Sequence, residues 1–178
     1  MIRWCNMRTV FLDTETTGLN PPADGLVEIA IVEDTGRVLL NSLVNPERTI
    51  GFASTIHGIT DDMVATAPRL LDLLPQVEAI VCGARVVIYN SGFDTRFFPD
   101  RLRSAAAIDC AMLRFARARG VRNPRFGDFK WHKLTVAAEH VGYEWEGVAH
   151  RALADALATR AVWNWMEARS LDRRAAIA

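Results

Sequence analysis

The chain has 178 residues, of which 50% are hydrophobic and 24% are charged. This length and composition indicate one globular domain with a sizeable core, and they exclude a globally disordered chain. The 21 basic residues balance 21 acidic ones, so the chain has no overall positive field that would coat a polyanion nonspecifically.

Cysteine usage and hydropathy bear on the compartment. Cys5, Cys82 and Cys110 are odd in number and too widely spaced to form a zinc-type pair, which favours a reducing environment. The N-terminus, M-I-R-W-C-N-M-R, has no apolar signal core, and no apolar run approaches the length of a membrane span. We therefore expect a cytoplasmic protein that does not enter a membrane.

The first predicted element is a buried strand in the stretch V-F-L-D-T-E-T-T-G-L, which runs from Val10 to Leu19. Side chains alternate along a strand, so Asp13 and Glu15 project from the same face at its exit. Two neighbouring carboxylates repel each other and call for a proton or a cation, and their hard oxygen atoms suit Mg²⁺ or Mn²⁺. Two solvated acids at an exposed strand end are the alternative, and this stretch alone leaves both open.

Two further strands are predicted at 26–32 and 37–44, and a tight turn joins them into an antiparallel hairpin. A helix is predicted over 67–81, where leucine and valine recur at helical spacing. Pro68 suits the first turn of that helix, and Pro75 predicts a kink or a break inside it.

Strands and helices alternate in the second half of the chain. Asp109 follows a short strand and is predicted to cap the helix after it. The predicted strands are 85–89 and 108–109, and the predicted helices are 110–119, 134–141 and 152 to about 168.

This order of elements predicts an α/β domain with a mixed sheet and helices on its faces. In such sheets, sites form at the carboxyl ends of the parallel strands. Asp94 comes just after the strand at 85–89, so it would meet Asp13 and Glu15 if the two strands are parallel neighbours. An acid that merely favours the N-terminus of a helix is the alternative for Asp94.

Asp155 is flanked by alanine and leucine, so it faces a packed surface on which an unpaired carboxylate would be costly. An ordinary helical salt bridge to Arg151, four residues earlier, is one candidate partner. His150 lies five positions before Asp155, which on one helix would place the two side chains on different faces. They can share a site only if His150 lies on the loop that enters the helix, and Gly147 makes such a loop plausible.

Three blocks of the chain, in this order and at these separations, resemble the exonuclease motifs of the DnaQ-like family: D-T-E-T-T-G-L at 13–19, Y-N-S-G-F-D at 89–94 and H-R-A-L-A-D at 150–155. The histidine resembles that of the DEDDh branch, and I-H-G-I-T at 56–60 is similar to a segment of the proofreading-subunit, epsilon-like branch. Tyr89 departs from the pattern, because many relatives have a histidine or another polar residue there. The resemblance implies an α/β, RNase H-like fold with a five-stranded mixed sheet flanked by helices, in a single exonuclease domain over residues 1–178 with its motifs within about 8–168.

The resemblance also implies a metal-dependent 3′-to-5′ exonuclease that releases nucleoside 5′-monophosphates from single-stranded DNA or RNA. It implies two divalent ions, Mg²⁺ or Mn²⁺: Asp13, Glu15 and Asp155 hold one, Asp13 bridges to the second, and Asp94 acts there through bound water. His150 is the expected general base, since a histidine side chain can take up a proton at neutral pH.

Four residues are expected to contact substrate by the same resemblance: Thr16, Leu19, His57 and Asn90. A separate stretch, 120–133, interleaves Phe126, Phe129 and Trp131 with arginine and lysine. That mixture suits phosphate and base binding, but an ordinary surface loop anchored by Trp131 fits equally well.

The expected partners are nucleic-acid 3′ ends, with a polymerase or another replication or repair protein as a further candidate. A homodimer is open as well, because Trp163, Trp165 and Met166 could form either core or a dimer surface. The alternative function is a nucleic-acid-binding subunit that is non-catalytic or works only inside a polymerase or degradation complex. Four acids and a histidine disfavour that alternative, because an inactive module has no chemical need to hold those charges together.

Overall fold

A five-stranded mixed sheet forms the centre of the molecule. The computed structural model describes residues 7–175, with side chains described as far as residue 170. The strands are β1 (Thr9–Thr16), β2 (Leu26–Glu33), β3 (Val38–Leu43), β4 (Arg85–Ile88) and β5 (Ala107–Cys110). Their order in the sheet is β3-β2-β1-β4-β5; β2 runs antiparallel to both β1 and β3, whereas β1, β4 and β5 are parallel.

Helices cover both faces of this sheet. They are α1 (Ser54–His57), α2 (Asp61–Val64), α3 (Leu70–Val81), α4 (Ser91–Asp94), α5 (Ala111–Arg119), α6 (Leu134–His140) and α7 (Ala152–Ala175). This is the RNase H-like arrangement that the sequence predicts, with the hairpin of β2 and β3 on one side of β1 and the parallel strands on the other.

The core has two main layers, one on each face of the sheet. Val10, Leu12 and Ile88 pack on the side of α3, against Val77 and its neighbours. Phe11 lies on the opposite side, in a layer that α5, α6 and α7 complete. Alternate residues of β1 therefore serve opposite layers, as a strand buried on both faces requires.

One predicted helix begins later than expected. The helix expected over 67–81 begins at Leu70 and is not broken at Pro75. The Arg69 N–H donates to the carboxylate of Asp72 at 3.0 Å, which closes the first turn and leaves Pro68 outside the helix. Pro75 frees the carbonyl of Leu71, a residue on the exposed side of the helix where water can bond to it.

Asp109 does not cap the helix that follows it. The residue at the cap position of α5 is Cys110, which makes no side-chain cap bond. The carboxylate of Asp109 instead pairs with Arg85 on the neighbouring strand, at 3.4 Å.

The structure bears on the expectations for the cysteines, for Trp163 and Met166, and for a membrane span. Cys82 and Cys110 are free thiols, and Cys5 lies outside the described residues. Trp163 and Met166 are buried in the α7 layer, which places them in the core and not on a dimer surface. No helix among the described residues combines the length and the apolar character that crossing a bilayer requires.

Candidate active site

The face of the sheet beneath α7 carries three acids. Phe11 and Ala30 lie in the layer that α7 covers, and side chains two residues apart on a strand share a face. Asp13 therefore follows Phe11 on that face, and Glu28 precedes Ala30 on it. Glu15 pairs directly with Glu28 across the two antiparallel strands, so acids from β1 and β2 lie side by side.

The first turn of α7 brings a further acid to this face. Carboxylate oxygens of Asp13, Glu15 and Asp155 all lie within 4.8 Å of one another, although Asp155 is 140 residues from Glu15 in sequence. Buried alanines on α7, including Ala152 and Ala156, let the helix lie close against the sheet.

Asp94 enters from the adjacent parallel strand. The register pairs Leu12 with Ile88, so the segments after β1 and β4 leave the sheet at the same edge. The carboxylate of Asp94 is 5% exposed and accepts a 2.7 Å hydrogen bond from the Thr14 hydroxyl. The strand order thus brings together the four acids that the sequence predicts.

Crowding and burial disfavour the charged forms of these acids. Burial, followed by repulsion from Asp94 and Asp155, raises the pKa of Asp13 well above its ordinary value. Burial is also the largest cause that raises the pKa of Glu15 to about 8, of Asp94 to about 7 and of Asp155 to about 6. Such a cluster holds its full negative charge at neutral pH only when a cation compensates it.

His150 lies on the loop that enters α7, as its proposed role requires. Its φ of +64° is in the left-handed region, and the helix begins two residues later at Ala152. The His150 backbone N–H donates to the carboxylate of Asp155 at 3.1 Å. The histidine side chain is exposed, so it stands at the solvent side of the buried acids.

Glu28 is a site residue that the sequence analysis missed. It is only 3% exposed, and its carboxylate accepts hydrogen bonds from Arg151 Nε at 3.1 Å and Nη2 at 2.6 Å, and from the Ala152 N–H at 2.8 Å. Arg151 therefore pairs with Glu28 and not with Asp155. The available signal was an acid inside the apolar strand L-V-E-I-A-I-V, since a buried carboxylate needs a partner.

The four predicted substrate residues fall in two places. Thr16 is the last residue of β1 and the exposed Leu19 lies on the loop that follows, where the Thr16 hydroxyl donates to the Gly18 carbonyl at 2.7 Å. His57 ends α1 and is 5% exposed; its Nδ1 accepts from the Ile59 N–H, while its Nε2 has no hydrogen-bond partner among the described residues. Asn90 lies apart from these, after β4, where it lines an open groove together with His150 and Asp155.

Comparison with known proteins agrees with this geometry. Residues 10–163 match the family model RNase_T, described as "Exonuclease". The chain belongs to this exonuclease family. It is also 40% identical over 166 residues to an uncharacterized exonuclease, CP81, of Escherichia phage 186, which covers 86% of this chain and 84% of the phage protein.

Other relatives carry DNA polymerase III epsilon names, as expected for the DnaQ-like family. A subunit epsilon-like protein of Rhodobacter capsulatus is 36% identical over 159 residues, and the epsilon subunit of Rickettsia conorii is 31% identical over 117 residues. The matches cover 84% and 62% of this chain but only 22% and 51% of those relatives. This exonuclease chain therefore corresponds to one part of each longer protein.

Solved structures share the fold. Exonuclease X in complex with 5′-overhanging duplex DNA has a TM-score of 0.71 and 27% identity, over 91% of this chain and 92% of that one. Exonuclease I has a TM-score of 0.68 at 19% identity, over 87% of this chain and 39% of that one, and it supports the fold alone. The chain is thus a nuclease of this family, and its acidic cluster is compatible with divalent metal binding.

The donor set itself fits a hard divalent cation. Asp13, Glu15 and Asp155 each offer a carboxylate oxygen, and their separations allow one ion to contact all three. The nearby cation Arg151 pairs with Glu28 and only partly offsets the charge of Glu15. Burial and mutual repulsion raise the pKa values of these acids, and a divalent cation would offset both effects.

Proposed function

We propose that this chain is a metal-dependent 3′-to-5′ exonuclease. It hydrolyses the last phosphodiester bond of a single-stranded DNA or RNA and releases a nucleoside 5′-monophosphate. The single observation that supports this most strongly is the convergence of the Asp13, Glu15 and Asp155 carboxylates within 4.8 Å. The proposal includes one catalytic domain that spans the chain.

The metal-binding roles follow from the positions of the acids. Asp13, Glu15 and Asp155 would hold one divalent ion, and Asp13 would also be a ligand of a second. Asp94, held by Thr14, would serve the second ion. When bound, Mg²⁺ or Mn²⁺ would neutralise the charge on the scissile phosphate and stabilise the attacking and leaving oxygens.

His150 serves as the general base. A water molecule attacks the phosphorus, its proton passes to the His150 imidazole, and the bond to the 3′ oxygen of the preceding nucleotide breaks. That oxygen takes a proton from solvent, so the products are a nucleoside 5′-monophosphate and a strand with a new 3′ hydroxyl. The bond from the His150 N–H to Asp155 fixes the backbone of the base next to the acids.

The terminal nucleotide is proposed to lie between the loop after β1 and α1. Leu19 is 68% exposed on that loop and offers apolar contact to a base or sugar. The buried, unpartnered Nε2 of His57 can bond to the terminal sugar or phosphate. Thr16 shapes the loop, and Asn90 contacts the strand from the side of β4.

The test is digestion of matched single-stranded DNA and RNA oligomers, labelled at the 3′ end or at the 5′ end. With Mg²⁺ or Mn²⁺, the 3′ label is expected to appear at once as a mononucleotide, while the 5′-labelled strand shortens stepwise. Release of the 5′ label first, or no metal-dependent release from either end, would refute the proposal. The printed names of the relatives make DNA the first substrate to test and a DNA polymerase a candidate partner.

A further inference from the structure

An open groove of about 490 Å³ adjoins the acidic cluster, and neither Leu19 nor His57 lines it. His150 and Asp155 line this groove together with Trp131 and Lys133. This volume is in the range of cavities that hold a nucleotide-sized ligand. The groove therefore continues from the candidate active site across the surface.

Trp131 gives the groove an exposed aromatic wall. Its side chain is 58% exposed, so the indole ring is accessible to a ligand in the groove. Phe126, in the same loop, is 69% exposed but does not line the groove, and Arg125 stacks on its ring. The structure thus separates two aromatic residues that the sequence could not distinguish.

The wall is fixed to the catalytic strands by Tyr89, the residue that departs from the family pattern. Tyr89 lies at the end of β4, is 7% exposed, and donates from its hydroxyl to the His132 carbonyl at 2.8 Å. His132 lies between Trp131 and Lys133, so the bond holds both neighbours at a set distance from Asn90, the residue after Tyr89. The position of Trp131 relative to the acids is therefore built into the fold.

The segment that forms this wall is strongly basic although the chain as a whole is neutral. Residues 111–133 contain a single acid, Asp128, and a third of the chain's 21 basic residues. These cations are Arg114, Arg117, Arg119, Arg122, Arg125, Lys130 and Lys133. Lys133, from this segment, lines the groove together with Trp131, and a cation beside an exposed aromatic side chain suits the binding of single-stranded nucleic acid.

We propose that the groove binds the single strand on the 5′ side of the scissile phosphate, with Trp131 stacked on a base and Lys133 in contact with a phosphate. This inference rests on the proposed function. The direction follows from the assignment of the terminal nucleotide to Leu19 and His57. Neither residue lines the groove, so the groove is assigned to the strand on the other side of the scissile phosphate.

The test compares two substrates of the purified chain. The p-nitrophenyl ester of thymidine 5′-monophosphate carries no upstream nucleotide, whereas a single-stranded DNA 10-mer would fill the groove. Trp131→Ala is expected to lower the ratio of kcat/KM on the 10-mer to kcat/KM on the ester by about 5- to 150-fold, the loss of one stacked base, mainly through KM. Trp131→Phe should recover part of the ratio, and Phe126→Ala should keep the wild-type ratio.

Two further arms separate stacking from a general change in the loop. Abasic upstream positions should lower the wild-type ratio and reduce the difference between wild type and Trp131→Ala. Lys133→Ala should reduce the slope of log KM against log salt concentration, measured with the 10-mer, by about one.

A wild-type ratio in Trp131→Ala, or an equal fall in Phe126→Ala, overturns this inference and leaves the proposed function intact. Failure of the wild-type chain to hydrolyse either substrate refutes both.

Discussion

The two sides of the candidate active site are held in different ways. Asp13 and Glu15 belong to β1, the central strand of the sheet, and pair there with Ala30 and Glu28 of β2. His150 is exposed, has a left-handed backbone, and depends on contacts from carboxylates. The acids are thus preorganised by main-chain pairing, whereas the base is positioned by side chains that single substitutions can remove.

A left-handed histidine has a cost that its surroundings must offset. Non-glycine residues in this region are strained by about 1–3 kcal/mol, and His150 has a φ of +64°. Asp155 binds its N–H, and Glu28 binds the next two residues through Arg151 and the Ala152 N–H. Substitutions on the two sides should therefore fail in different ways.

The largest loss of activity is expected when one of the metal-binding acids is replaced. Asp13→Asn or Asp155→Asn should lower metal-dependent hydrolysis by about 10³-fold or more, because each removes a ligand that supports several kcal/mol of charge stabilisation. Asp34→Asn, an exposed acid in the turn between β2 and β3, is the control and should behave as wild type. Hydrolysis by Asp13→Asn at the wild-type rate would contradict the assignment of the acids.

A smaller loss is expected at the base. His150→Ala should lower kcat by about 10²- to 10⁴-fold, the usual contribution of a general base. The acids of β1 are untouched by this change, so Mn²⁺ affinity and oligonucleotide KM should stay close to the wild-type values. If kcat is unchanged, or if Mn²⁺ binding is lost along with it, His150 has a different role.

The support beneath the base predicts a third, smaller effect. Glu28→Gln should lower kcat by about 10-fold, because a displaced His150 loses alignment with the reacting atoms. The decisive comparison is the double mutant: in a His150→Ala background, Glu28→Gln should have little further effect on kcat. Fully additive losses would show that Glu28 acts independently of the base.

The free energy of unfolding should respond differently to substitution of Glu28 and of its ion-pair partner Arg151. Arg151→Ala leaves a 4%-exposed carboxylate unpaired and should cost about 3–5 kcal/mol of unfolding free energy. Glu28→Gln leaves an arginine that is 38% exposed and can reach water, so it should cost about 1–2 kcal/mol. Denaturant unfolding measures both, and the reverse order would contradict the burial argument.

How far the sequence predicts this site depends on how local each constraint is. Strand periodicity places Asp13 and Glu15 on one face, and the order of elements brings Asp94 to them, so that part of the site follows from short-range pattern. Arg151, the alternative partner considered for Asp155, does not bind its carboxylate. Arg151 precedes the first residue of α7, and its side chain pairs with Glu28 instead.

Long-range contacts account for what the sequence did not predict. The hydrogen bond between Glu28 and Arg151 joins residues more than 120 positions apart. The position of Trp131 depends on a hydrogen bond between Tyr89 and His132. Neither pair has a sequence spacing that reveals it. Both become visible only when the fold places β2 beneath the start of α7 and the loop at 120–133 beside β4.

The smallest effect concerns the metal-free protein and pH. The folded-state pKa values of about 8, 7 and 6 for Glu15, Asp94 and Asp155 exceed the unfolded values near 4. Between about pH 4 and pH 8 the folded chain therefore binds more protons than the unfolded chain, and stability must fall as pH rises.

Thermal unfolding checks this sign. Without metal, Tm should drop by about 5 °C or more between pH 6 and pH 9. Asp13→Asn should flatten the curve, and Mg²⁺ should raise the wild-type Tm most at high pH, where protons no longer compete for the carboxylates. A metal-free Tm that rises over this range would contradict the repulsion among the acids.

Direct binding of Mn²⁺ tests the central claim, that the crowded acids form a divalent metal site. Titration followed by electron paramagnetic resonance at pH 8 is expected to show two saturable ions in the wild-type chain and loss of that binding in Asp13→Asn, with Asp34→Asn as the matched control. The account is contradicted if the wild-type chain binds no Mn²⁺ saturably, or if Asp13→Asn binds it as the wild type does.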